Sequence, residues 1–151
     1  MQKIPELRSR LKDLFQKQYF SVLATHDAGK PHTSLVAFSV SDDLRLLLFS
    51  TPRSTRKFQY LSRNPHVSIL VDDRSNEITD IEQVTAVSIA GRAAEIAGGQ
   101  RDAMLGLHLA KHPYLEEFAR SPNSALVGVT VMRYDIVTSF QSIVMLAPED
   151  V

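Results

Sequence analysis

The sequence contains no cysteine. That removes disulfides, thiolate metal sites and cysteine nucleophiles, and it fits a reducing compartment. No apolar run reaches the roughly 18 residues a membrane helix needs, so no transmembrane helix is expected. The first stretch, MQKIPELRSRLKDLF, is charged throughout and has no apolar h-region, so it does not read as a secretory signal. Neither charge sign dominates: 17 Lys and Arg face 17 Asp and Glu. A general affinity for nucleic acid or anionic membrane is therefore not expected. The GxxxxGKS or GxxxxGKT loop of nucleoside triphosphatases is missing, as are the GxGxxG fingerprint of dinucleotide folds, HExxH and the GxSxG elbow. These absences lead us to expect a cytoplasmic protein.

What is present is ordinary for a globular chain: 44% hydrophobic and 23% charged residues in 151. That length favours one domain over residues 1–151. Ile4, Leu7, Leu11, Leu14 and Phe15 follow helical spacing. FSVLATH and PHTSLVAFSVS flank Asp27-Ala28-Gly29-Lys30 and read as a hairpin. LRLLLFST is a third strand, and Ser54 or Thr55 can cap a short helix that Asn64-Pro65 ends. HVSILVD and VTAVSIAGRAAEIA are further strands, the second with Gly91 at a bulge or close approach. Residues 73–83 read as irregular, 99–111 and YLEEFAR as helices, and ALVGVTVMRYDIVTSFQSIVML as one or two last strands. Consecutive β-runs on short turns predict a mainly β (α+β) fold: an antiparallel barrel with short flanking helices.

Between Leu44 and Val71 there is no Asp or Glu, yet Arg45, Arg53, Arg56, Lys57 and Arg63 are all there. A solvated basic face would explain them. The placement of Thr51, Ser54, Thr55, Arg56 and Lys57 at a strand-to-helix junction points instead to a phosphate cradle. Free helix N–H groups, hydroxyls, an Arg fork and a Lys can hold a phosphomonoester from several sides. His108 and His112 have a metal-compatible spacing, but Pro113 follows directly and HExxH is missing, so capping or surface roles are expected. Ser34 and Ser39 lie in a predicted strand with no nucleophile elbow around them. Phe38, Phe49, Phe58 and Phe118 are expected in the core, while Phe140 is committed to neither role.

The order PHTSLVAF, LLLFST, STRKFQYLSRNPHVSI and SIAGRAAEI resembles the pyridoxamine 5'-phosphate oxidase-like superfamily of FMN-binding split β-barrels. The most specific piece is Thr55-Arg56-Lys57 followed after five residues by Arg63-Asn64-Pro65. The resemblance implies a six-stranded split barrel and a homodimer with FMN at the subunit interface. It implies phosphate contacts from Thr55, Arg56 and Lys57, ribityl and phosphate contacts from Ser50 and Thr51, and a ring laid along Ser34, Leu35, Val36 and Ala37. It further implies a flavin oxidoreductase whose partner is a small redox molecule such as a nicotinamide. No acid–base residue is singled out. The family's oxidase usually carries Arg, Lys and Gln where this chain has Ser34, Ser39 and Ala86. It also carries a C-terminal segment with Trp and Arg, and this sequence has no Trp. A true pyridoxamine-phosphate oxidase is therefore not expected. The KHP segment and the VTSFQS ending are somewhat like a haem-binding branch, so haem binding or use is the alternative cofactor reading. A non-catalytic flavin storage or sensing module is the alternative from another class.

Overall fold

The computed structural model describes residues 3–140 and 142–151, so Gln141 of VTSFQS lies outside the described residues. Helix α1, Ile4–Lys17, begins with Pro5 in its first turn, where a missing N–H costs nothing. It buries Leu7, Leu11, Leu14 and Phe15 on one face. Strands β1, Phe20–Asp27, and β2, Lys30–Ala37, form the expected hairpin. Its turn residues Ala28 and Gly29 have φ of 48° and 78°, the paired left-handed geometry that matches strand twist.

PHTSLVAFSVS does not continue as one strand. It breaks at Phe38, and Ser39–Val40 forms β3, which pairs with β4, Leu46–Pro52. The reason is a change of partner: β2 is laddered to β1, while β3 and β4 belong to the other end of the sheet. Phe38 makes the crossing. Its ring is buried, its N–H donates to the Tyr19 carbonyl, and its own carbonyl accepts from His112.

Next come α2, Arg56–Arg63, and β5, His66–Asp72. The segment expected to be irregular contains a short helix, α3, Asp80–Gln83. The Asp80 carboxylate accepts N–H groups from Ser75, Asn76 and Glu77 and winds the loop into it. Strand β6 is Thr85–Glu95, α4 is Gly99–Lys111, and a 3₁₀ turn over Pro113–Leu115 leads into α5, Glu116–Arg120. Strands β7, Ser124–Thr138, and β8, Ser142–Leu146, complete the chain.

All neighbouring strands are antiparallel, in the order β2-β1-β5-β6-β7-β4-β3, with β8 added to the end of β7. The wall is made by the six long strands β1, β2 and β4 to β7. The two-residue β3 and the branch β8 bring the count to eight. Strands β2 and β4 approach each other without a ladder between them, and that gap is the split.

Register between β6 and β7 shifts at Ala90/Gly91, so Met132 is the extra residue of a bulge. A Cβ on Gly91 would lie 2.4 Å from Val129 Cγ1 and 2.8 Å from the Thr130 carbonyl oxygen, which leaves no room for any side chain. Inside the barrel, Leu23, Leu47, Ile69, Ile89, Val127 and Tyr134 are buried completely. Each such aliphatic contributes about 1.5–3 kcal/mol. Leu105, Leu109, Ala119 and Leu126 form a second, smaller cluster that seats α4 and α5 against β7. Among the described residues no helix is long and apolar enough to cross a membrane.

Candidate functional site

The split opens as a cleft of about 190 Å³. One wall is Leu35, Val36 and Ala37 of β2, and the other is Ser50, Thr51 and Pro52 of β4. Lys57 closes one end, and Leu115 and Phe118 border it from the α4–α5 side. Strand β2 ends the sheet, so its backbone N–H and C=O groups on the side away from β1 have no ladder partner. The side chain of Leu35 is 70% exposed, while Val36 turns into the core. Phe118, expected in the core, lies at the rim instead, because the five-residue α5 buries Ala119 in its place.

At the start of α2, Thr55 is the N-cap. Its Oγ1 accepts from Phe58 N at 3.4 Å, donates to the Pro52 carbonyl at 2.9 Å, and lies 3.0 Å from Thr51 Oγ1. Those hydroxyls thus fix the strand-to-helix corner. Among the described residues, the N–H groups of Arg56 and Lys57 have no protein acceptor, as expected for a first turn. The basic stretch divides in two. Arg53 binds Glu95 through two nitrogens and also the Pro122 carbonyl, and Arg63 binds Asp27. Among the described residues, no protein acceptor engages the Arg56 or Lys57 side chains.

Six of the nine residues read from the sequence line one cleft: Leu35, Val36, Ala37, Ser50, Thr51 and Lys57. Thr55 stands behind Thr51, Arg56 points to solvent from the same helix start, and Ser34 lies one residue up the β2 edge, outside the lining.

Beside the cleft, α4 carries a cluster whose burial the sequence did not reveal, although His112 does stand at the cap position expected of one of the pair. His108 and His112, expected in capping or surface roles, are both fully buried. His108 Nδ1 pairs with Ser39 Oγ at 2.7 Å, and its Nε2 has no partner. Burial, with His112 and Lys111 beside it, pushes its pKa down to about 4. His112, the C-cap of α4, bonds the Phe38 carbonyl through Nε2 and the Tyr114 hydroxyl through Nδ1, both at 2.7 Å. The Lys111 ammonium caps α1 by donating to the Phe15 and Gln18 carbonyls and sits 4.0 Å over the Phe38 ring. Burial lowers its pKa to about 8, which leaves it charged at neutral pH. A larger hollow of about 400 Å³ lies between α1, the β3–β4 turn and α4, with Ser39, Asp42 and Lys111 on its wall. It contains none of the expected site residues. Among the described residues, no group of three or more His, Asp or Glu could hold a metal ion.

A curled antiparallel sheet split between β2 and β4, with a helix start at the split, defines a split β-barrel. The family model described as pyridoxamine 5'-phosphate oxidase matches residues 7–138, and the chain belongs to that family. No curated protein matches the sequence. Among solved structures, the chain is similar to a haem-binding protein from Mycobacterium smegmatis, with a TM-score of 0.84 at 17% identity over 99% of this chain and 60% of that one. It is similar to ChuZ of Campylobacter jejuni, with a TM-score of 0.83 at 13% identity over 99% and 63%. An FAD-binding protein from Mesorhizobium loti matches with a TM-score of 0.66 at 16% identity over 83% and 88%. The chain thus spans under two thirds of the length of the first two.

Proposed function

We propose that the protein is an FMN-binding flavoprotein that works as an oxidoreductase, distinct from pyridoxamine-phosphate oxidase itself. One observation carries the reading. The unengaged first-turn N–H groups of α2 and the unpaired Lys57 side chain stand at a cleft whose opposite wall is a free strand edge, with the exposed Arg56 side chain at the same helix start. The donor set fits a phosphomonoester at a helix start. The β2 edge fits the polar rim of a flavin ring, with Leu35 against its face. Bound there, the flavin supplies hydride or electron transfer, and the chain's residues bind, orient and shield it.

At about 190 Å³, the cleft is smaller than the roughly 300–1,000 Å³ of sites that enclose a ligand of this size. A second copy of the chain is proposed to supply the missing wall, as a homodimer. A nicotinamide or another small redox molecule is the proposed partner, and the lack of cysteine suits the cytoplasm. The haem-binding neighbour supports haem as the second reading. Against it, among the described residues no histidine, tyrosine or methionine lines the cleft as an axial ligand.

The absorption spectrum of the purified protein decides between these readings. A flavin band near about 450 nm is expected. A Soret band would give the site to haem, and a protein that stays colourless with added FMN would overturn the flavin reading. Bound FMN that nicotinamides leave oxidised would point to storage or sensing. A single-chain mass with FMN bound would overturn the homodimer.

A further inference from the structure

At about 400 Å³, the hollow between α1, the β3–β4 turn and α4 has room for a whole small molecule, which the cleft by itself does not. Phe15, Ser39 and Leu44, all buried, make its floor, and Val40 and Leu107 extend the apolar wall. Three charges stand on it: Lys12 from α1, Lys111 from α4, and Asp42 at the exposed rim. Two cations therefore share the hollow with one carboxylate.

Among the described residues, neither lysine has a carboxylate within ion-pair distance. Lys111 is half-buried. The Phe15 and Gln18 carbonyls and the Phe38 ring engage its ammonium group, but they do not cancel its charge. Holding a cation out of water without a counter-charge is costly. An anion beside it is favoured on that account, and more strongly than at a wet surface. Asp42 reduces the excess to a single positive charge, so a monoanion matches the wall better than a dianion.

We propose that the hollow is a second binding site, for a small monocarboxylate with an apolar chain. The carboxylate lies towards Lys111 and Lys12, and the chain covers Phe15, Val40, Leu44 and Leu107. The hollow and the cleft share no lining residue, so the site stands whether or not the protein holds a flavin.

Binding there is linked to protons. The charged and titratable groups around Lys111 are Lys12 on α1, Tyr19 just after it, Asp42 on the β3–β4 turn, Tyr134 beneath Phe15, and His108 and His112 on its own helix. Burial holds both histidines below their ordinary 6.5, so they are neutral where Lys111 titrates. Burial also lowers Lys111 to about 8, and a bound carboxylate raises it again. Affinity is therefore full below about pH 8 and falls as pH rises above it.

The test is isothermal titration of the full chain with straight-chain carboxylates from butanoate to decanoate. Affinity should rise about three- to fourfold per methylene and level off once the hollow is full. Lys12→Glu, which reverses a partly exposed charge, should weaken octanoate binding about tenfold or more. Ala110→Phe, at an exposed helix position on the wall, should fill the hollow and weaken octanoate as well. In the wild-type protein, the same affinity should drop as the pH is raised past Lys111. Absence of binding to any chain length, octanoate affinity that neither variant changes, or affinity that stays level across that pH range would each overturn the proposal. Inorganic phosphate that binds as tightly as octanoate would overturn the ligand class. Norleucine that binds more tightly than hexanoate would overturn it too, in favour of amino acids. Octanoate binding that is lost as the mass rises from one chain to two would give the hollow to a second copy and overturn the site.

Discussion

Two polar regions flank the point where the chain crosses the barrel at Phe38, and they use their polar groups in opposite ways. On the α4 side, His108, Lys111 and His112 are drawn into the structure and, apart from one ring nitrogen, are bonded to Ser39, to main-chain carbonyls and to Tyr114. On the cleft side, Arg56 and Lys57 keep both backbone and side-chain donors unengaged beside an unpaired strand edge. Buried and satisfied polar groups hold a crossing in place, since stranding one costs its full desolvation. Solvated and unsatisfied ones contribute little to the fold and remain open to a ligand. Substitutions on the two sides should therefore report on different quantities.

The largest effect is expected at the cleft. Arg56→Ala with Lys57→Ala should weaken FMN binding by roughly 3–6 kcal/mol, at about 1.5–3 kcal/mol for each charge-assisted contact. Urea unfolding of the flavin-free protein should hardly change. Isothermal titration that finds the affinity intact would dissolve the contrast. On the α4 side the pattern inverts: His112→Ala should cost about 2–4 kcal/mol of stability through the stranded Phe38 carbonyl and the cavity left behind, read as a lower urea midpoint.

The third prediction concerns acidity. His108 has a folded pKa of about 4, below its ordinary 6.5, so the unfolded chain binds more protons between those values. Its contribution is whole above about pH 6.5 and is lost as pH falls towards about 4. The loss is on the order of 3 kcal/mol by that shift. His108→Asn should flatten this limb of the pH–stability curve, and an unchanged slope would assign the acid sensitivity elsewhere. The smallest effect is reserved for Arg53. Its guanidinium is engaged by Glu95 and Pro122, so Arg53→Ala should leave FMN affinity unchanged although the residue belongs to the same basic stretch.

What could be read from the sequence was what short-range rules govern. The helix stripe of Leu7, Leu11, Leu14 and Phe15, the Ala28-Gly29 turn and the Thr55 cap closed by Asn64-Pro65 are set by neighbours along the chain. The cleft residues of β2, and Ser50 of β4, were named only through the family resemblance, whereas Thr51 and Lys57 were also marked by their place at a strand-to-helix junction. The break at Phe38 was not legible, because PHTSLVAFSVS has strand character throughout and only the change of partner from β1 to β4 interrupts it. The burial of His108 and His112 was hidden for the same reason. A polar residue goes inside when a carbonyl or hydroxyl waits there, and Phe38 and Ser39 lie some 70 positions earlier, at separations of 74 and 69. One signal did point to it: His108 and His112 fall on the same helical face as Leu105 and Leu109.

Gly91 has a consequence for how such a barrel can vary. With Val129 and Thr130 pressed against the place of its Cβ, the position admits one amino acid, whatever ligand the protein holds. A lineage that needed a wider or narrower split could not adjust it there. Variation would have to enter on the opposite strand, around the exposed Met132, where the bulge has already set one residue free of the ladder. The bend at this bulge is thus fixed on β6 and adjustable on β7.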